Sequence, residues 1–349
     1  MNRRNYFRGF LQELDALSTP QVEGDDSAPV VLDDMFSKSP DFQEFLREQA
    51  REYAATRPVY RRRKFRSSQE LLSPFARIVS TVVLSIFVLI PIIYALLLSV
   101  TSDVQIGSGN LFPRPWAFDN YLKMWDTIDL AQGLFNSLYI SSVASLIAVV
   151  VAVGAGYVIS RFKFRGRLFY LYALIGLQTV PHVMLLLPLF VLFSMTQAAL
   201  HLRLVGTFQA VILTYLTFAL PLAIWVMVSY FESIPLDLEE AALVDGATRL
   251  QALRMIILPL ALPGVVVALV FAFLTGWNDV LFASVLTAPE TRTVAVQLQS
   301  FNAAQQGAGP PLYGQVMGAA IVSALPVVIL YMFFQRYLVG GLTAGGVKG

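Results

Sequence analysis

The chain has 349 residues, 56% hydrophobic and 14% charged, with a mean hydropathy of +0.63 and a formal net charge of +2. That balance excludes a soluble domain, whose surface needs about 25% charged residues, and places the chain in a bilayer. The absence of cysteine excludes disulfide staples and thiolate metal sites, and the near-neutral total makes the placement of Lys and Arg the informative quantity.

Residues 1–70 differ from the rest. Glu23, Asp25, Asp26, Asp33 and Asp34 alternate with Pro and Ser, the composition of a largely disordered arm. Two helical patterns interrupt it. Tyr6, Phe7, Phe10, Leu11, Leu14 and Leu17 recur at helical spacing beside Arg3, Arg4 and Arg8, a pattern suited to an anionic membrane surface. Ser39-Pro40-Asp41 opens a second, followed by Phe42, Phe45, Leu46 and Tyr53. A spacer with partly formed helices is the favoured reading, ahead of membrane attachment or contact with a partner.

Crossing hydrocarbon takes about 20 apolar residues in a helix, and six stretches qualify: residues 75–100, 136–160, 168–196, 207–229, 263–286 and 315–337. The first follows a long hydrophilic segment and exceeds a signal-peptide core, so it is expected to remain as a helix. Arg61, Arg62, Arg63, Lys64 and Arg66 precede the first span, and Arg161, Lys163, Arg165 and Arg167 join the second and third. Basic residues near span ends are retained in the cytoplasm, so both termini are expected inside. Pro91, Pro181, Pro188, Pro221 and Pro326 fall within spans, where each removes a backbone donor and favours a kink.

Between the fourth and fifth spans lies a polar helix-turn-helix. Pro235 suits the first turn of a helix, Glu240-Ala241-Ala242 follow, and Gly246 after Asp245 suits a left-handed stop. Thr248 and Gln251 have capping-box spacing for a second short helix, which Pro259 is expected to end. Two small residues beside one carboxylate let another protein's backbone approach while Glu240 offers a charge to a Lys or Arg. This is interface chemistry.

The spacing Glu240-Ala241-Ala242, Asp245-Gly246-Ala247, Ile257-Leu258-Pro259 resembles the EAA loop of permease subunits of ABC importers. Phe231 to Pro235, Trp277-Asn278-Asp279, Phe334-Gln335-Arg336-Tyr337 and Gly341-Leu342-Thr343 are similar to the MalG-type carbohydrate branch. The resemblance covers residues 75–349 and leaves the N-terminal arm without a counterpart. It implies an all-α membrane fold of the type I importer class, with six transmembrane helices, a permease domain over 71–349 and a coupling loop over 231–263. It also implies a bacterial or archaeal cytoplasmic membrane. The implied partners are a second, MalF-like permease chain, two ATP-binding subunits, an extracytoplasmic substrate-binding protein and lipid, with no nucleic acid. ATP and Mg belong to the ATP-binding subunits, and no cofactor is expected on this chain. The coupling residues implied are Glu240, Ala241, Ala242, Asp245, Gly246 and Pro259.

No catalytic site is expected. Gly341 to Gly346 ahead of Lys348 lacks the Ser or Thr and the helix a P-loop requires, and only His182 and His201 are available for a histidine metal site. Polar residues within spans are better leads, since in hydrocarbon they face the bundle or a water-filled path. Gln178 and His182 sit one turn apart in the third span, Thr214 and Thr217 in the fourth, and Asn278 and Asp279 in the fifth. With aromatic faces such as Tyr215, Trp225 and Trp277 they could line a sugar path; interhelical hydrogen bonding explains each equally well. The function expected is import of a sugar, oligosaccharide or polyol. The alternatives are a non-carbohydrate importer of the same class or a secondary transporter, for which Asp279 is the available carboxylate. The outer segment 289–313, with Phe301, Asn302, Gln305 and Gln306, is expected to be a loop that meets the binding protein or merely connects helices, and residues 340–349 a Gly-rich tail that lies flat against the ATP-binding subunits or is a disordered end.

Overall fold

A computed structural model describes residues 74–108, 112–305 and 312–344. The expected arm over residues 1–70 lies outside the described residues, as do Gln306 and the last five positions. The chain divides into two units, Met1–Ser80 and Thr81–Gly349, and the helix packing belongs to the second.

The described residues are helical, with one isolated bridge between Gly206 and Thr287. In chain order the helices are α1 (Pro74–Ser99), α2 (Asp103–Gly107), α3 (Asn120–Thr127), α4 (Leu130–Arg161) and α5 (Arg167–Thr179). After a 3-10 turn at His182–Leu185 come α6 (Leu186–Leu200), α7 (Phe208–Ser233) and α8 (Asp237–Val244). Then follow α9 (Arg249–Leu260), α10 (Leu262–Trp277), α11 (Leu281–Leu286), α12 (Val294–Gln305) and α13 (Tyr313–Ala344).

α4, α7 and α10 pack against one another and form the centre; α13 lies against α10 and α3, and α5 against α7. Lipid tails are as apolar as leucine, so close packing replaces the hydrophobic effect as the force between such helices, and small residues make it possible. α4 supplies them on one face. Ala144, Ala148 and Ala152 are fully buried at a spacing of four, and Gly156 continues the row. A Cβ on Gly156 would stand 2.8 Å from the Met227 Cβ of α7, so only glycine admits this approach. Around it are buried Tyr157, Ile159, Leu174, Met227, Phe231 and Ile257.

Among the described residues, five helices are long and apolar enough to cross a membrane: Phe75–Ser99, Leu130–Arg161, His182–Leu200, Phe208–Ser233 and Tyr313–Leu338. α1 and α6 present apolar side chains outward along most of their length, as lipid-facing or partner-facing helices do. One further stretch qualifies when two helices are taken together. α9 and α10 meet at a 76° bend at Ala261, and α10 stops at Trp277, with α11 completing the stretch.

Several expectations are corrected. The third span is not one helix, because the chain turns extended at Val180 (ψ 123°) and Pro181 (ψ 120°); α5 and His182–Leu200 are separate, and Gln178 and His182 are not a helical turn apart. Pro259 does not end the second short helix. A π-turn over Leu253–Ile257, in which the Leu258 N–H donates to the Leu253 carbonyl, widens the coil ahead of Pro259, and α9 runs on to Leu260. Widening relieves the collision a proline ring makes with the carbonyl four residues back. The segment after Pro289 is largely ordered structure: a 3-10 turn at Pro289–Thr291, then α12, which buries Phe301 completely. Helix α13 runs through Gly340 to Ala344, where a flat tail was expected.

Candidate functional site

α7 ends at Ser233, and Ile234, Pro235 and Leu236 lead into α8, with Asp237, Glu239 and Glu240 in its first turn. Carboxylates there oppose the positive end of the helix dipole. Two interlocked devices fix the corner that follows. The Ala247 N–H donates to the Ala242 carbonyl (3.0 Å) and the Gly246 N–H to Leu243 (3.1 Å), the paired bonds of a Schellman stop, with Gly246 at φ +89°. The expected capping box closes over Thr248: its N–H donates to Gln251 Oε1 at 2.7 Å, and the Gln251 N–H donates to Thr248 Oγ1 at 3.3 Å.

This rigid corner sorts its side chains by face. Glu240, Ala241, Asp245 and Gly246 are exposed. Leu238, Val244, Leu250 and Met255 stand exposed beside them, so an acidic group sits on an apolar surface. Glu239 and Ala242, three residues apart and hence on one helical face, are buried. The close approach expected of both alanines therefore falls to Ala241, because Ala242 is 5% exposed on the inward face. Pro259 shapes α9 from within.

Glu239 is the residue that sequence reasoning missed. Its Oε1 accepts from the Tyr157 hydroxyl at 2.6 Å and faces Arg249 Nη1 at 3.5 Å, while Oε2 lies 3.1 Å from Arg161 Nε. Arg161 Nη2 donates to the Ile234 carbonyl at 3.1 Å. The Arg249 guanidinium stands over the Phe162 ring, 5.2 Å from its centre, and Tyr157 meets Phe162 and Phe231 edge-on. The signal was available: consecutive glutamates are about 100° apart on a helix, so Glu239 and Glu240 present different faces, and one can turn inward while the other stays exposed.

The candidates for a translocation path do not form one cluster. Thr214 is fully buried and donates to its own helix at the Ala210 carbonyl; Thr217 is exposed and donates likewise to Leu213. Asp279 accepts from the Tyr215 hydroxyl (3.0 Å) and from the N–H groups of Phe282 (3.3 Å) and Ala283 (2.9 Å), which start α11. Its carboxylate is thus committed to separating α10 from α11. Asn278 and Gln178 are exposed, and His182 lies against Phe218, ring centres 4.4 Å apart, with Phe218 in turn against Phe282 at 4.9 Å. Of the aromatic residues, Trp277 is buried and stacked on Phe273, Tyr215 is buried, and Trp225 is exposed.

At the opposite end of α4 the segment after α11 is fastened down. Asn136 Nδ2 donates to the carbonyls of Glu290 (3.1 Å) and Arg292 (2.9 Å), Gln132 Nε2 also reaches Glu290 (3.0 Å), and the Val294 N–H donates to Ser137 Oγ (2.8 Å).

Residues 144–343 match the family described as binding-protein-dependent transport system inner membrane component, a stretch that takes in most of α4, the α8–α9 corner and nearly all of α13. The chain is 37% identical over 264 residues to the trehalose transport system permease protein SugB of Mycobacterium tuberculosis, covering 75% of this chain and 93% of that one. It is 33% identical over 284 residues to the trehalose/maltose transport system permease protein MalG of Thermococcus litoralis, covering 80% and 99%. Among solved structures, a bacterial ABC transporter involved in the import of the acidic polysaccharide alginate aligns with a TM-score of 0.60 at 26% identity, over 76% of this chain and 98% of that one. With the helical bundle and the α8–α9 corner, these matches place the chain in the binding-protein-dependent transport system inner membrane component family, as a multi-pass permease subunit of an ABC importer.

Proposed function

We propose that the chain imports a sugar, oligosaccharide or polyol through the cytoplasmic membrane, and that the exposed α8–α9 corner is where it receives the work of ATP hydrolysis. A second permease chain would complete the pore, two ATP-binding subunits would hold ATP and Mg, and an extracytoplasmic binding protein would deliver the substrate. The relatives' names, trehalose and maltose permeases, support the carbohydrate class. The observation that carries the coupling role is Glu240, exposed beside Ala241 and apolar neighbours on a helix held at both ends of its turn. Orientation is supported by Arg161, whose contacts with Ile234 and Glu239 put the basic 161–167 stretch at the same end of the bundle as the corner; the bias of Lys and Arg to the inner side then makes that end cytoplasmic. The reading of a secondary transporter loses its carboxylate, since Asp279 is occupied in starting α11.

The test is uptake by the assembled transporter in proteoliposomes, with co-purification of the ATP-binding subunits as a second readout. Glu240→Lys reverses an exposed charge. At Gly246 an added Cβ meets no atom within 4 Å, so Gly246→Val acts chiefly by opposing φ +89°, at about 1–2 kcal/mol. Both variants are expected to insert normally and to lose uptake, Glu240→Lys with weakened recruitment. Wild-type uptake and recruitment in both would overturn the assignment.

A further inference from the structure

We infer that Glu239 is a positioning residue that ties α8 to α4 in fixed register, so that displacement of the exposed Glu240 face is carried into α4 and along it; this rests on the coupling role proposed for that face. The side chains of Arg161 and Glu239 are 3% and 4% exposed. Taking two charges out of water is offset only when geometry is good and the remaining polar atoms are met, so a buried pair is a poor source of stability and a good source of fixed geometry. In this pair Tyr157, Arg161 and Arg249 surround the carboxylate, from α4 and α9: Oε1 takes the hydroxyl's hydrogen bond, while Oε2 and Arg161 Nε face each other as a buried ion pair with no other partner among the described residues, so each depends on the other staying in place. Arg161 also holds the Ile234 carbonyl in the link from α7 to α8. An apolar contact can slide by an ångström and remain a contact. A hydroxyl at 2.6 Å and a guanidinium at 3.1 Å cannot, because the charge would be left unpartnered where water does not reach.

The position of the tie gives it reach. Tyr157 and Arg161 end a 32-residue helix, about 48 Å long at 1.5 Å per residue. Near the other end of that helix, Gln132, Asn136 and Ser137 hold the backbone of Glu290, Arg292 and Val294. α4 is therefore bonded through side chains at both ends, to the docking helix at one and to the 290–294 segment at the other. Coupling claims require a connected set of contacts with defined geometry, and this is one.

The experiment uses the full transporter in proteoliposomes and reads the number of ATP molecules hydrolysed per substrate imported, with co-purification of the ATP-binding subunits. Glu239→Gln keeps size and an acceptor for the Tyr157 hydroxyl and removes the charge. It is expected to retain the ATP-binding subunits and to raise the ATP-to-substrate ratio at least tenfold. A residue that merely supports folding would lower hydrolysis and uptake together, leaving the ratio unchanged; that result, or a ratio and uptake equal to wild type, overturns the inference. Because the chain has no cysteine, a second variant guards against misfolding: with Arg161→Cys and Glu239→Cys combined, the ratio is expected to be high with free thiols and to return to within threefold of wild type once a short thiol-specific cross-linker bridges them. A bridged protein that stays uncoupled counts against the tie. Glu240→Lys, run in parallel, separates the two proposals. Lost recruitment there with a normal Glu239→Gln ratio sinks only the tie, whereas wild-type behaviour of both Glu240→Lys and Gly246→Val sinks the docking role and the tie with it.

Discussion

Replacing Gly156 by alanine adds one methyl group at a tight point between α4 and α7. Its carbon would lie 2.8 Å from Met227 Cβ and 3.3 Å from the backbone of Met227 and Val228. Aliphatic carbons settle at about 3.5–4.0 Å, so the helices must part by roughly 1 Å, and the atom in the way is a Cβ that no rotamer change can move. Overpacking of this kind costs about 1–3 kcal/mol, or roughly 2–12 °C in melting temperature if the chain scales like domains of 150–250 residues. Gly154, two residues earlier in the same helix, has nothing within 4 Å of an added Cβ. There alanine removes only glycine's helix penalty, a gain of up to about 1 kcal/mol. The assay is thermal unfolding of both variants in one detergent: Gly156→Ala is expected below wild type and Gly154→Ala at or above it. Equal melting temperatures for the two would refute the claim that glycine at 156 sets the α4–α7 distance.

Two further outcomes are expected. Burial raises the Asp103 carboxyl above its usual 3.8, against the lowering effect of the Gly314 N–H that it accepts at 2.9 Å. The folded protein therefore holds that proton more tightly than the unfolded chain. This group's contribution is fullest below the unfolded value and is lost as pH rises through the folded one. Asp103→Asn, which keeps an oxygen for Gly314, should equal or exceed wild-type stability at pH 7 and flatten the stability profile just above pH 3.8; a clear loss at pH 7 would contradict it. For Asp279, Asn is expected to retain uptake and substrate preference, whereas Ala strips the cap from α11 and the partner from Tyr215, lowering stability by about 1–2 kcal/mol. A changed substrate preference in Asp279→Asn would return the residue to the translocation path.

What was legible in the sequence follows from what each signal measures. Apolar run length found the membrane helices because about 20 residues of hydrocarbon-compatible side chains leave few alternatives. The same measure cannot register a break made from apolar residues or from very few. Val180-Pro181 interrupts one stretch without interrupting its hydrophobicity, and Asn278-Asp279 interrupts another with a polar pair too short to lower the average over a whole span. Turn chemistry was legible at Gly246 and at Thr248 with Gln251, where one residue type satisfies one backbone need. Pro259 misled because the rule that proline stops a helix presumes a regular coil, and the π-turn before it removes that premise. Arg161 read as one of four basic residues marking an inner loop, while its burial beside Glu239 depends on the meeting of α4, α8 and α9, which no local pattern contains. α12 was hidden for a related reason, since Phe301 owes its burial to the α4–α13 side of the bundle and not to any period of its own segment.

The π-turn at Leu253–Ile257 makes the distance from Gly246 to Ala261 a matter of phase as well as length. One extra residue is wound in without an extra turn, so all that follows is rotated by about 100° relative to a plain α-helix. A chain shorter by one residue there would meet Pro259 in a regular coil and swing the direction of the corner at Ala261 around the axis of α9. Substitutions along this stretch can be absorbed one side chain at a time; a single insertion or deletion would re-aim the whole of α10. The stretch is therefore constrained in its count of residues more tightly than in most of their identities, as the cut depth of a key is constrained while its metal is not.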